Sequence, residues 1–296
     1  MNIGFFVGSD IMSQVMMNEL VPQLLAKEHR PFVFHPSDNT NRKARPLALE
    51  ELIFFERRIV HEVIYPFLDS NELPNGIKLQ SMEGLGKKYE IPVQNISSVN
   101  DCDFLDYLRR EKMSGGVSLR CYQKFNEPII DFFKNEGKFL VNLHPGILPK
   151  YRGVMTTIRA MANGEREHGY SLHYITKKWD AGPIISISLA SLDCSRPMLS
   201  NNEAAHHIGV NAVLDFVNKV ERDELISETA QDEFKKGYFS FPSAHDLEEY
   251  TKQGLRFFDR AQMCTFYLNN FSVKGTDHYA ALNEKINKSI ESFYSR

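Results

Sequence analysis

Asn142 and His144 stand two apart where an apolar run, Lys138-Phe139-Leu140-Val141, comes to its end, and Pro145, Gly146, Pro149 and Gly153 follow them. Residues two apart in a strand share a face. The pair therefore projects an amide and an imidazole side by side from a strand end, with a rigid turn behind. An amide that cannot lose its proton, next to an imidazole that titrates near neutrality, can polarise a carbonyl and hold the oxyanion formed on nucleophilic attack. Taken alone, an Asn-x-His at a strand end is more often an ordinary structural feature. What the pair lacks is a carboxylate to manage protons. Asp180, in the Gly- and Pro-bounded turn Lys177-Lys178-Trp179-Asp180-Ala181-Gly182-Pro183, is the candidate to relay a proton from an incoming amine, directly or through water.

The elements that must position these groups read as repeated strand–helix units. Strands are expected over 2–8, 31–36, 115–119, 139–144, 169–175 and 184–190. Helical spacing runs over 11–25, 46–68, 81–90, 101–110, 129–133, 156–163 and 202–220. Short connections between such units indicate an α/β fold with a doubly wound, mostly parallel sheet. The natural division is a catalytic domain over 1–195 and a smaller α+β region over 196–296, whose stretch 225–296 shows no clear repeat. In such sheets ligands bind at the carboxyl ends of the strands. Ser9, the 121–125 loop and the Asn142/His144 pair are thereby expected around a common cleft. Gly4 and Gly8 do not form G-x-G-x-x-G, so a nicotinamide cofactor has little support.

Composition sets the outer limits. The chain has 296 residues, 42% hydrophobic and 25% charged, as an ordinary soluble globular protein has. It contains no run of about 18 apolar residues, and Met1–Gly8 lacks the basic and long apolar regions of a signal peptide, so a cytoplasmic protein without a membrane partner is expected. Cys102, Cys121, Cys194 and Cys264 show no C-x-x-C spacing and read as reduced thiols. The net charge is −3, and residues 201–296 carry 11 Lys+Arg against 15 Asp+Glu. A nucleic-acid partner needs a basic footprint, which is not visible here. His206 and His207 are adjacent on a helix and do not face one metal site. His168 and His173 read as structural.

Asn142-x-His144-Pro145, then Leu148-Pro149-Lys150-Tyr151-Arg152-Gly153, then Asp180-x-Gly182-Pro183-Ile184, resembles the folate-dependent formyltransferase family. The 36 residues from His144 to Asp180 match that family's spacing. The resemblance covers roughly 1–195 and is firmest over 120–190. It implies a formyl donor, N10-formyltetrahydrofolate, and no metal. It also implies that Asn142 holds the formyl oxygen, His144 stabilises the oxyanion, and Asp180 positions water and the imidazole and assists deprotonation of the amine. Gln123, Lys124 and Phe125 fall where the family wraps the pterin, with Thr176 and Trp179 on the other side of that pocket. Ser9, Asp10, Tyr151 and Arg152 are the candidates for holding the acceptor. The Leu148–Met155 stretch looks most like members acting on small amines, a nucleotide-linked amino sugar or a hydroxyornithine-like siderophore precursor. A methionyl-tRNA formyltransferase-like enzyme and a non-catalytic folate-binding relative stay open. A role of the C-terminal region in acceptor binding or in a homodimer stays open too.

Overall fold

Successive side chains along residues 2–7 point to opposite faces of a sheet, and both faces are covered. Phe5 and Val7 are buried in one apolar layer and Phe6 in another. Burial on both sides is why the strand is apolar at nearly every position. It is β1 (Asn2–Val7) in a computed structural model that describes residues 1–37, 45–134, 137–232 and 237–295. β1 pairs in parallel with β2 (Arg30–Pro36), which pairs in turn with β3 (Val93–Ile96). On its other side β1 pairs in parallel with β4 (Gly115–Leu119), and β4 with β5 (Phe139–His144). A two-residue strand, β6 (Arg152–Gly153), lies outside this sheet. β7 (Glu167–Tyr174) and β8 (Ile184–Ser191) complete it with antiparallel pairs, giving the order β3-β2-β1-β4-β5-β7-β8. The fold is the α/β, mostly parallel, doubly wound sheet that the strand–helix units predict.

The long amphipathic stretch is one helical run, 47–70, and its middle departs from α geometry. Phe54–Arg58 and Val60–Ile64 are π-helical. Phe54, Phe55 and Glu56 are buried in succession, which requires cover on more than one face of the helix. The other cover comes from the C-terminal region. Phe54 stacks on Phe293 at 4.3 Å between ring centroids, Phe55 lies 4.7 Å from Phe258, and the Tyr267 hydroxyl donates to the Phe55 carbonyl.

Helix Met198–Glu221 begins four residues ahead of the expected start at Asn202, directly after Pro197. It packs on β7, β8 and the helix Ile11–Leu25. Beyond it, helices Ala244–Lys252, Arg260–Phe271 and Asp277–Tyr294 form where the sequence shows no repeat. Their buried stripes are thin: Tyr250 alone in the first, and Leu282, Ile286 and Ile290 in the last. Those residues join the same apolar cluster as Ile3 and Phe5, so the C-terminal helices share the core of the sheet. Ahead of the last three helices in the chain, β9 (Tyr238–Phe239) pairs in parallel with β6.

Candidate active site

The carboxyl end of β5 opens into a cleft with a cavity volume of about 300 Å³, and Asn142, His144, His173 and Asp180 all line it. In the sheet Asn142 stands between Ser118 of β4 and His173 of β7, its direct cross-strand neighbours. Its Nδ2 donates to His173 Nε2 at 3.0 Å, while His173 Nδ1 donates to the Tyr174 carbonyl at 2.9 Å. Only a neutral imidazole protonated on Nδ1 satisfies both contacts. Burial holds the His173 pKa below the usual histidine value, although Asp180 pulls the other way. The Asn142 amide is thus fixed in orientation, and its second N–H makes no hydrogen bond among the described residues.

His144 is buried, with Nε2 2.6 Å from the Tyr151 carbonyl and Nδ1 3.6 Å from Asp180 Oδ1. A carbonyl only accepts, so Nε2 carries a proton and Nδ1 is the atom turned toward the carboxylate. The turn behind is braced by Ser171, whose hydroxyl donates to the Gly146 carbonyl at 2.7 Å and accepts from the Leu148 N–H at 3.0 Å. Asp180 itself adopts a left-handed conformation, φ 47°. Its Oδ2 accepts from the Gly153 N–H at 2.8 Å. Gly153, at φ 95°, runs so close to β9 that a Cβ would sit 2.0 Å from the Phe239 carbonyl oxygen. The carboxylate is therefore held by a backbone donor that only glycine supplies at this position.

Of the other residues singled out in the sequence, Lys124, Phe125, Thr176 and Trp179 line the cleft. Gln123 does not. Its side chain accepts from the Val99 N–H at 2.9 Å and donates to the carbonyls of Ser37 and Ser97 at 2.8 and 2.9 Å, tying neighbouring loops together. The four acceptor candidates also sit outside the cleft lining. Ser9 offers its carbonyl to His61 Nε2 at 2.8 Å. Asp10 is fully buried, caps the helix Ile11–Leu25 and pairs with Arg120 at 2.9 Å. The Tyr151 ring is buried, its hydroxyl held by Glu165 at 2.8 Å and Asn163 at 3.0 Å. Arg152 is buried and donates to Gln231.

The groups that do line the far wall were not singled out by the sequence. Glu56 and Arg57 come from the π-helical stretch, Arg120 and Tyr122 from the loop after β4. Arg120 bridges Asp10 and Glu56, each at 2.9 Å, and the Arg57 guanidinium lies 4.5 Å from the centre of the Tyr122 ring. In the sequence Glu56 and Arg57 lie within the long helical stretch 46–68, read as core-facing, and no pattern picks them out individually. Three exposed aromatic residues, Trp179, Tyr238 and Phe241, stand at the rim. No helix among the described residues is long and apolar enough to cross a membrane.

Residues 125–195 match the formyl transferase family model. A methionyl-tRNA formyltransferase of Pseudothermotoga lettingae is 40% identical over 84 residues, 28% of each chain. The chain spans between 28% and 63% of the length of the first curated relatives it matches, all methionyl-tRNA formyltransferases. Among solved structures, a sugar N-formyltransferase of a Shewanella species superposes with a TM-score of 0.53 at 14% identity, over 97% of this chain and 87% of that one. An N-formyltransferase of Helicobacter canadensis, solved with folinic acid and dTDP-3-aminofucose, gives 0.51 at 15% identity over 81% and 70%. At those identities the structures share a fold with this chain. The segment holding Asn142, His144 and Asp180 is thus the part that matches formyl transferases in sequence, and it is set on a fold shared with solved N-formyltransferases.

Proposed function

We propose that the protein is an N-formyltransferase that moves a formyl group from N10-formyltetrahydrofolate to the amine of a small molecule. The observation that carries this reading is the convergence of Asn142, His144 and Asp180 in one cleft, with His144 Nδ1 3.6 Å from Asp180 Oδ1. The cleft has the features that a flat, amide-edged donor needs: apolar walls from Leu49, Leu52, Phe125 and Ile175, with backbone groups of the 121–125 and 176–180 turns beside them.

When bound, the donor supplies an activated formyl carbon. This chain's residues do the rest. In this mechanism the Asn142 N–H holds the formyl oxygen, and His144 stabilises the charge it gains under attack through Nδ1, the ring nitrogen not committed to Tyr151, once that atom carries a proton. Asp180 takes up the proton that the acceptor nitrogen must lose, with His144 Nδ1 as its near neighbour. Ser118 and His173 flank Asn142.

A small-molecule acceptor, a nucleotide-linked amino sugar or a hydroxyornithine-like amine, is the reading favoured by the acidic C-terminal region and by the small-molecule size of the cleft. A second reading, formylation of charged initiator tRNA, is supported by the names of the curated relatives. One experiment separates them. The protein is incubated with N10-formyltetrahydrofolate and either an amine panel or methionyl-tRNA at low salt, and the products are weighed. A small formylated amine supports the first reading, whereas activity on tRNA that falls steeply with salt replaces it with the second. In the active assay, Asp180→Asn and His144→Ala should each lose at least about 100-fold in kcat while still binding folate. Near-normal rates in both would remove these roles.

A further inference from the structure

We propose that Gln231 is a positioning residue for formyl transfer: it locks the turn that presents the Asp180 carboxylate to His144. The inference rests on the reading of Asp180 as the proton acceptor. It concerns a residue outside the 125–195 family match and 51 positions beyond Asp180.

The Asp180 turn needs a lock. A left-handed conformation at φ 47° costs a non-glycine residue free energy, and the bonds around Asp180 hold it there. The Gly153 N–H fixes one carboxylate oxygen. The backbone of the turn is fixed by Gln231, whose Nε2 donates to the carbonyls of Asp180 and Gly182 at 2.9 and 2.7 Å. Its Oε1 accepts from Arg152 Nε at 3.0 Å and Nη2 at 2.7 Å. Carbonyls only accept and a guanidinium only donates, so the amide has one possible orientation and all four of its hydrogen-bonding positions are used. Arg152 immediately precedes Gly153. One side chain thus grips both supports of the carboxylate: the turn that carries Asp180 and the strand whose N–H holds it.

The transfer explains why such a grip matters. The acceptor nitrogen bonds to the formyl carbon, the bond from that carbon to the folate nitrogen breaks, and the proton leaving the acceptor ends on the departing nitrogen. Asp180 holds that proton in between. A displacement of about 1 Å at such a group costs on the order of 100-fold in rate without touching ground-state binding.

The test is Gln231→Glu, which keeps the length and the acceptor for Arg152 but turns an oxygen toward two carbonyls. Gln231→Met, of similar length and without donors, is run beside it in case the charged variant folds poorly. Transfer from N10-formyltetrahydrofolate to hydroxylamine is assayed in single turnovers, with folate-binding titration counting folded sites. The expected result is a loss of about tenfold or more in rate per folded site, with donor affinity changed by less than about threefold. In an Asp180→Asn background the same substitution should add almost nothing, because residues acting as one unit are not additive. A normal rate in both Gln231 variants beside a crippled Asp180→Asn overturns this proposal alone. So does a full further loss in the Asp180→Asn background, which would show Gln231 acting by another route. Normal turnover by Asp180→Asn overturns the transfer mechanism and this proposal with it.

Discussion

At the scale of single residues, the arrangement around Asn142 separates what a motif states from what a sheet supplies. Asn142, His144 and Asp180 are legible because their spacing and turn residues announce them. His173 is not, although the strand that carries it is. Its role depends on the antiparallel register that sets it directly across from Asn142, and register is a property of the folded sheet. By alternation alone it is one more buried histidine. Its consequence can be measured. His173→Leu removes the acceptor that orients the Asn142 amide, and kcat should fall about tenfold, with donor binding nearly unchanged. An unchanged kcat would mean that the amide keeps its aim without its neighbour. The acceptor candidates show the converse case. Ser9, Asp10, Tyr151 and Arg152 sit in suggestive loops outside the cleft lining, and the side chains of Asp10, Tyr151 and Arg152 bond to the scaffold.

At the scale of elements, the two-stranded pairing of β6 with β9 is the part that no local pattern reveals. Tyr238-Phe239 is too short to show strand periodicity, and its partner Arg152-Gly153 reads as a turn. The same holds for the 47–70 helix, whose existence follows from its apolar spacing but whose π-helical middle does not. That irregular stretch carries Glu56 at the cleft wall beside a buried phenylalanine pair. The tightness of the β6–β9 contact gives a direct prediction. Gly153→Ala places a methyl against the Phe239 carbonyl at a positive φ. It should destabilise the fold by about 1–3 kcal/mol, seen as a lower urea midpoint, and should cost activity beyond that loss, because the same N–H holds Asp180. A variant as stable and as active as the parent would show that the two strands do not need their close approach.

At the scale of the whole molecule, the sheet and its first helices follow from apolar periodicity, whereas the C-terminal helices escape it because their stripes are narrow. Tyr267 is fully buried and bonded to the long helix, although no periodic pattern in the sequence marks its position. Buried histidines carry another whole-molecule property. Burial pushes the pKa values of both His35 and His168 down to about 4. Below the unfolded histidine value of about 6.5 the unfolded chain takes up protons that the folded chain refuses. Stability should therefore be full above that pH and fall as pH drops toward 4, by up to about 1.4 kcal/mol per pH unit for each histidine. Urea midpoints measured from pH 7 to pH 5 check this, and His168→Asn should flatten the slope. A midpoint that stays level over that range would contradict it.

The join between Gly153 and Phe239 also sets the order of events when the chain is made. Synthesis runs from the N-terminus at about 5–20 residues per second, so every strand of the central sheet leaves the ribosome before the segment that steadies Asp180. Long-range pairings of this kind are slow to close. A nascent or refolding chain should then pass through a species with its sheet built and its chemistry silent. In refolding from urea, far-UV circular dichroism should recover before formyl-transfer activity, and the lag between them should lengthen in Gln231→Met. The carboxylate is thus armed after the sheet, by a part of the chain that lies outside the motif.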